Sequence, residues 1–146
     1  MESFEQINME DFKKIIRNDR YAVHSGIELT EVRPGYAKAE MEIKDYHLNA
    51  GNVVQGGAIF TLADFAFAAA ANAYGNLTLS IQTSIYFHKG VGCGTLYAVA
   101  QAVKIGQNIG NFEVRVSHDS GALIATFTAV AYRKNIPFLH IPSPAH

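Results

Sequence analysis

Residues 56–74 of the chain read GGAIFTLADFAFAAAANAY, and no other segment is long and unbroken enough to form a major helix. Residues 58–72 contain neither glycine nor proline and are dominated by alanine, which loses no side-chain entropy in a helix. Nineteen residues at a rise of ~1.5 Å predict a rod roughly 28 Å long. Because its sides are almost all apolar, this helix is expected to be buried in the protein interior.

Polar features interrupt this apolar helix at two places. Asp64 stands in its middle, with Thr61 one turn earlier, and a carboxylate among Ala and Phe costs stability unless the protein uses it. At the start, Gln55 is followed by Gly56 and Gly57, which leave backbone N–H groups unshielded and aligned by the helix dipole. Such a site suits an oxyanion or a polarised carbonyl oxygen.

The spacing of these features predicts an oligomer. Asp64 follows Gly56 by eight residues, or ~12 Å along the helix axis. A group that attacks a carbonyl must lie within ~3–3.5 Å of its carbon. If both residues act on one carbonyl, they must come from two copies of the helix that run antiparallel across a twofold axis. We therefore expect a homodimer as the minimum active unit, with two equivalent sites.

The rest of the chain is patterned for strands. Residues 26–43 alternate between apolar and polar side chains on either side of a turn at 33–36, where Pro34 and Gly35 suit the second and third positions. Four further runs, at 77–87, 95–105, 112–117 and 123–131, are separated by short connections that indicate antiparallel neighbours. The pattern predicts an α+β architecture in which one antiparallel sheet wraps one long helix.

Alternation within these runs predicts which residues share a face. In the first run, six residues are expected on one face: Leu77, Leu79, Ile81, Thr83, Ile85 and Phe87. In the second, Val99, Val103 and Ile105 are expected to share a face. Apolar residues on the face away from the helix (Val99, Val103, Ile124, Val130) predict cover by a partner subunit, and hence a dimer of dimers.

The two ends of the chain complete this outline. Asn8 is suited to cap a short helix over residues 9–18, whose charge order complements the helix dipole. Three of the four prolines fall after residue 135. The sequence predicts a single domain over residues 1–136 and a loose tail over 137–146.

Composition excludes several functional classes. The 146 residues have a net charge of −1, which argues against a broad nucleic-acid or anionic-membrane surface. The single Cys93 cannot form an intramolecular disulfide, and the six histidines show no metal-ligand spacing. The N-terminus has no apolar signal core, and Thr61 and Asp64 break the one long apolar run. We expect a soluble cytoplasmic protein without a metal.

Residues 47–64, HLNAGNVVQGGAIFTLAD, resemble the active-site segment of hotdog-fold acyl-CoA thioesterases of the phenylacetate-degradation, or PaaI-like, type. In its order of elements the resemblance extends over residues 26–133. It implies a hotdog fold and hydrolysis of an acyl-CoA thioester to the free acid and CoA. CoA is then part of the substrate, and no separate cofactor is implied.

The resemblance also implies roles for particular residues. Asp64 would be the catalytic carboxylate, as nucleophile or as general base, and the Gly56 N–H would polarise the thioester carbonyl. Asn49 would position the attacking water or the carboxylate of the facing chain. Expected substrate-binding residues are Gly57, Thr61, Gln82, Thr83, Ser84 and Lys89. Lys89 is one of four cations, with Lys104, Arg115 and Arg133, that are candidates for the CoA phosphates, although ordinary surface charge explains each of them better.

One position departs from the family pattern. The family usually has histidine before the two glycines, and this chain has Gln55. Glutamine can hold a hydrogen bond but cannot titrate near neutral pH. If the family histidine only orients and donates, Gln55 can replace it. If its charge state matters, activity would be lower or directed to another acyl group.

Two other functions remain open at this point. A hotdog dehydratase or hydratase would act on acyl thioesters through a histidine–carboxylate pair, but the relevant position holds Gln55. In a non-catalytic acyl-CoA-binding protein, Asp64 would have no catalytic role. The absence of an appended DNA-binding element argues against a regulator. A GxSxG nucleophile motif is absent, which argues against an α/β-hydrolase.

Overall fold

A six-stranded antiparallel sheet packs against one long helix in the computed structural model of the protein, which describes residues 7–141. The helices are α1 (Met9–Ile16), α2 (Arg20–His24) and α3 (Gly56–Asn72), and short 3-10 turns lie at Asp45–His47 and Phe138–His140. The strands are β1 (Ile27–Arg33), β2 (Tyr36–Glu42), β3 (Asn76–Phe87), β4 (Thr95–Ile105), β5 (Ile109–His118) and β6 (Leu123–Pro137). Their order in the sheet is β1-β2-β4-β5-β6-β3. The predicted α+β hotdog architecture is confirmed.

Helix α3 forms the centre of the core and contacts all six strands. Five of its residues are completely buried: Leu62, Ala63, Ala66, Ala69 and Ala70. Fully buried alanines on the facing strands, such as Ala39, Ala98 and Ala131, leave the space for this close approach. The helix ends two residues before the predicted Tyr74. At the end, Asn72 Nδ2 donates to the carbonyl of Thr78 over 3.1 Å and its Oδ1 accepts from the Thr78 N–H over 2.8 Å.

The β1–β2 hairpin and its turn form as predicted. Gly35 has φ +79, which is the left-handed region that favours glycine. A Cβ at this position would also collide with the Tyr74 hydroxyl, so glycine is required for two reasons. The alternation then buries Ala37, Ala39 and Met41 against the core.

The predicted single apolar face of β3 is wrong, because a β-bulge at Ile81 shifts the register by one residue. After the bulge, Ile85 pairs with the buried Phe127 and faces α3. Before it, Leu79 pairs with Tyr132, and both lie on the outer face, where they are 49% and 43% exposed. One extra residue therefore divides the expected apolar stripe between the two faces of the sheet.

The predicted shared face of Val99, Val103 and Ile105 is also wrong, because β4 has a bulge at Val103. Val99 lies on the outer face opposite Arg115, whereas Ile105 pairs with Gly110 and packs against the core. Ile124, which was expected on an uncovered face, is fully buried within the chain itself. The apolar part of the outer face is therefore smaller than the sequence indicated.

The ends differ from prediction in two respects. Helix α1 begins after the Asn8 cap as expected, but a second helix, α2, capped by the Asp19 side chain, was not predicted. The loose tail does not begin at residue 137, because Phe138 is only 4% exposed and its ring centroid lies 4.9 Å from that of Phe12. Residues 142–146 of the predicted tail and residues 1–6 of the predicted domain lie outside the described part of the chain. In the part described, none of the helices has the length and hydropathy to cross a membrane.

Candidate active site

A cleft of about 850 Å³ opens at the start of α3. Its walls come from α2, from the loop that follows β2, and from the first two turns of α3. Four of the predicted site residues line it together: Asn49, Gln55, Gly57 and Thr61. The structure therefore brings the loop and the helix start together around one cleft, which two of the predicted catalytic residues, Gly56 and Asp64, do not line.

Asn49 shapes the loop that forms one wall of the cleft. Its Oδ1 accepts hydrogen bonds from the N–H groups of Gly51 (2.8 Å) and Val53 (3.3 Å), and its own N–H donates to the Val53 carbonyl over 2.8 Å. This is the asparagine turn that closes a loop on its own side chain. The Nδ2 group makes no hydrogen bond to any residue within 7–141 and stays available to a ligand.

His47 holds the loop and α2 together beneath the cleft. It is only 4% exposed, and its Nδ1 accepts from the Lys44 N–H over 2.9 Å. Because Nδ1 accepts, the proton sits on Nε2, which donates to the Ser25 carbonyl over 2.7 Å. Both ring nitrogens are used in structural bonds, so His47 supports the site without acting in it.

The start of α3 carries two backbone donors, of which Gly57 lines the cleft and Gly56 does not. The Gln55 N–H donates to the His47 carbonyl over 2.8 Å, which fixes where the helix begins. The N–H groups of Gly56 and Gly57 have no hydrogen-bond partner within the helix, because no helical carbonyl lies four residues before them. Gly56 also sits under the Phe87 ring, where an added Cβ would lie 3.1 Å from a ring carbon. The glycines thus allow close packing and keep two aligned donors open.

The Gln55 side chain lies over the second glycine. An added Cβ on Gly57 would come within 2.5 Å of Gln55 Oε1, and the side chain makes no capping bond to the helix. Thr61, one turn further on, donates from Oγ1 to the Gly57 carbonyl over 2.8 Å. Gln55 is therefore placed at the amides that the sequence assigns to the carbonyl oxygen.

Asp64 lies further along the same side of α3. Gly57, Thr61 and Asp64 follow the i, i+4, i+7 spacing of one helix face, which points away from the sheet. Burial raises the pKa of the Asp64 carboxyl above its ordinary value, and the nearby negative charge of Asp19 raises it further. The carboxyl is half-buried, forms no ion pair or hydrogen bond within residues 7–141, and does not line the cleft of its own chain.

The four remaining predicted residues lie elsewhere. Gln82 and Ser84 are on the outer face of the edge strand β3, where Gln82 Nε2 donates to Ser84 Oγ over 3.0 Å. Thr83 faces the opposite side, and Lys89 is exposed in the loop beyond β3. None of them lines the cleft of this chain, so their role in substrate binding stays a prediction.

The structure also adds residues that the sequence did not single out. Tyr21 and His24 of α2 and Tyr46 of the loop line the cleft. Sequence patterns could not reveal Tyr21 and His24, because a five-residue helix carries too little periodicity to be recognised. Within residues 7–141, no three His, Cys, Asp or Glu side chains come together as metal ligands would.

Comparison with known proteins gives consistent results. The family model for the Thioesterase superfamily matches residues 51–125. A putative esterase of Archaeoglobus fulgidus is 40% identical over 123 residues, which cover 84% of this chain and 80% of that protein. The acyl-coenzyme A thioesterase PaaI of Escherichia coli is 30% identical over 117 residues, covering 80% of this chain and 84% of that protein.

The fold comparison agrees with the sequence comparison. The structure of the E. coli PaaI protein from the phenylacetic acid degradation operon superposes with a TM-score of 0.84 and 26% sequence identity. The superposition covers 88% of this chain and 94% of that one. The likeness therefore spans nearly the whole described fold.

Proposed function

The chain belongs to the thioesterase superfamily as a PaaI-like hotdog thioesterase, and on that premise we propose that it hydrolyses an acyl-CoA thioester to the free acid and CoA. The substrate class follows from its 30% identity with a protein named as an acyl-coenzyme A thioesterase. The observation that carries the proposal is the cleft, in which Asn49 and Gln55 lie beside Gly57 in the first turn of α3.

In this proposal the thioester carbonyl docks on the first turn of α3. Its oxygen accepts a hydrogen bond from the Gly56 N–H, and the helix dipole stabilises the negative charge that develops there. The glycine at 57 keeps the approach open, and Gln55, whose Oε1 lies over it, orients the acyl group. A donor aimed at the developing oxyanion is worth more than one that binds only the ground state.

Asp64 delivers the attack, either as the nucleophile or as the base that activates water. Its raised pKa makes it a stronger base, while requiring a pH above that pKa for the ionised form to predominate. Asn49 Nδ2, which is left available by the loop, is the donor assigned to hold the water or the carboxylate. Both routes end with cleavage of the C–S bond.

The two halves of this site come from two protomers. On one helix, Gly56 and Asp64 are separated by ~12 Å along the axis. Strand β3 offers the surface for pairing: it is an edge strand of 12 residues without a single charged side chain. Edge strands that stay unpaired are normally protected by charges. Pairing of two copies along β3 about a twofold axis brings their α3 helices together antiparallel.

A further association into a dimer of dimers, and a cytoplasmic location, complete the proposal. Exposed apolar side chains on the outer face, such as Val103 (60%) and Tyr132 (43%), support a second contact between dimers. The area is reduced by the burial of Ile124, so this contact is expected to be the weaker of the two.

The experiment that tests the activity is a panel of acyl-CoAs assayed for free thiol. Release of CoA with stoichiometric free acid supports the proposal. Hydration of an enoyl-CoA without thiol release would support a dehydratase instead. Binding of acyl-CoA without either reaction would point to a non-catalytic binding protein.

A further inference from the structure

His24 is an ionisable group in the cleft that the proposed reaction does not use. It is the last residue of α2, is exposed, and lines the cleft together with Gln55 and Asn49. Histidine is the side chain that changes charge between pH 5 and 8. The other histidine of the cleft wall, His47, has both ring nitrogens in structural hydrogen bonds. His24 is therefore the cleft imidazole that a substrate can reach.

The surroundings leave this ring open. Helix α2 packs against β1 and α3, and the loop forms the opposite wall. The titratable and charged groups on and around α2 are Arg17, Asp19, Arg20, Tyr21, Glu28, Tyr46, His47 and Asp64. Within residues 7–141, none of them makes a hydrogen bond or ion pair with His24.

We propose that His24 is a catalytic proton donor in the cleavage of the thioester. It supplies an imidazole to a site in which Gln55 occupies the position of the histidine in the family pattern. The inference rests on the proposed function. It also follows from the shape of the cleft, which extends from Gly57 and Thr61 at the helix start to His24 at the end of α2. When a thioester binds at the helix amides, either its acyl group or its CoA moiety occupies that space.

The step is the same whether Asp64 attacks directly or activates water. The C–S bond breaks, its electron pair goes to sulfur, and sulfur takes the proton of the His24 imidazolium. The neutral imidazole is then reprotonated from the water that the reaction consumes. Overall, water gives its hydroxyl to the acyl carbon and its other proton, through His24, to the thiol.

The test compares His24→Gln with the unaltered enzyme in thiol release across pH. Because the donor must be protonated, kcat of the unaltered enzyme should fall as pH rises and the imidazolium loses its proton. His24→Gln should lower kcat about 100-fold at the acid end and remove that fall. His140→Gln, which changes an exposed histidine far along the chain, is the matched control and should change neither quantity.

A second variant separates chemistry from cleft shape. Adding Gln55→His to the His24→Gln protein restores an imidazole beside the helix amides and should recover at least about tenfold of the lost rate. An unchanged rate and pH profile in His24→Gln would overturn the inference. So would a lower rate that keeps the pH profile of the unaltered enzyme and is not recovered by Gln55→His. Failure of the proposed function is a different result: the unaltered enzyme releases no thiol from any acyl-CoA.

Discussion

The two sides of α3 are built for different purposes. The side that faces the sheet carries alanines and Leu62 with no exposed surface, packed on alanines of the strands. The other side carries Gly57, Thr61 and Asp64, which are only partly covered. The first side supplies stability through close packing, whereas the second leaves open donors and a carboxyl with a raised pKa. Stability and chemistry are therefore separable on one helix.

The sharpest test of that separation is Asp64→Asn. The amide has nearly the same shape but can neither attack nor accept a proton, so kcat should fall about 1,000-fold, within the range of general acid–base catalysis. The free energy of unfolding should stay equal or rise, because a half-buried charge is removed. Thiol release and urea denaturation measure the two quantities. Asp11→Asn on α1 is the control, and full activity of Asp64→Asn would remove Asp64 from the mechanism.

The open side of α3 is expected to need a second copy, and Ile81→Lys tests this. Ile81 is 61% exposed at the bulge of the edge strand, so lysine there should prevent β3 pairing without unfolding the protomer. Light scattering should show a smaller assembly that lacks the β3-paired dimer. Activity should fall at least about tenfold, because even a small misplacement of a catalytic group lowers the rate. Glu31→Lys on β1, the other edge of the sheet, should leave the dimer intact. An active Ile81→Lys monomer would contradict the two-chain site.

The packed side is tested by Ala66→Leu. Ala66 is fully buried, and three extra carbons there should lower the free energy of unfolding by about 1–3 kcal/mol. Urea denaturation gives the change, and activity per folded molecule should stay the same. A variant with unaltered stability would show that the helix and the sheet are not closely packed at this point.

The smallest effect is the pH dependence that Asp64 gives to stability. The pKa of the Asp64 carboxyl in the folded protein lies above its ordinary value of 3.8, so the folded state holds the proton more tightly than the unfolded chain. The unaltered protein should therefore lose stability relative to Asp64→Asn as pH rises from below 3.8 through the raised pKa. Activity should change in the opposite direction, because it requires the ionised carboxylate. Paired denaturation curves at several pH values measure the difference, and parallel curves would contradict it.

The sequence predicted the features that depend on local chemistry. Helix α3, the hairpin turn at Gly35 and the grouping of Asn49, Gln55, Gly57 and Thr61 each follow from propensity, from a positive φ or from motif spacing. These features depend on residues that are close together in the sequence, so local sequence patterns can predict them.

The features that were missed depend on distant contacts. The bulge at Ile81 is one inserted residue with no compositional mark, and it is fixed by the pairing of β3 with β6. Phe138 looked like part of a proline-rich tail, but the Phe12 ring gives it a buried partner. Helix α2 depends on its Asp19 cap and on packing, neither of which the sequence pattern revealed. His24 is part of α2, so its place in the cleft could not be predicted either.

The bulge has a consequence for how this chain can diverge. Before it, β3 is bound to the end of α3 through Thr78 and Asn72, and after it the strand continues along the open edge. A one-residue deletion at Ile81 would rotate one of these parts relative to the other, whereas substitutions confined to one part leave the other in place. The edge can therefore vary residue by residue, but the bulged residue cannot be deleted without turning either the helix anchor or the edge to the opposite face of the sheet.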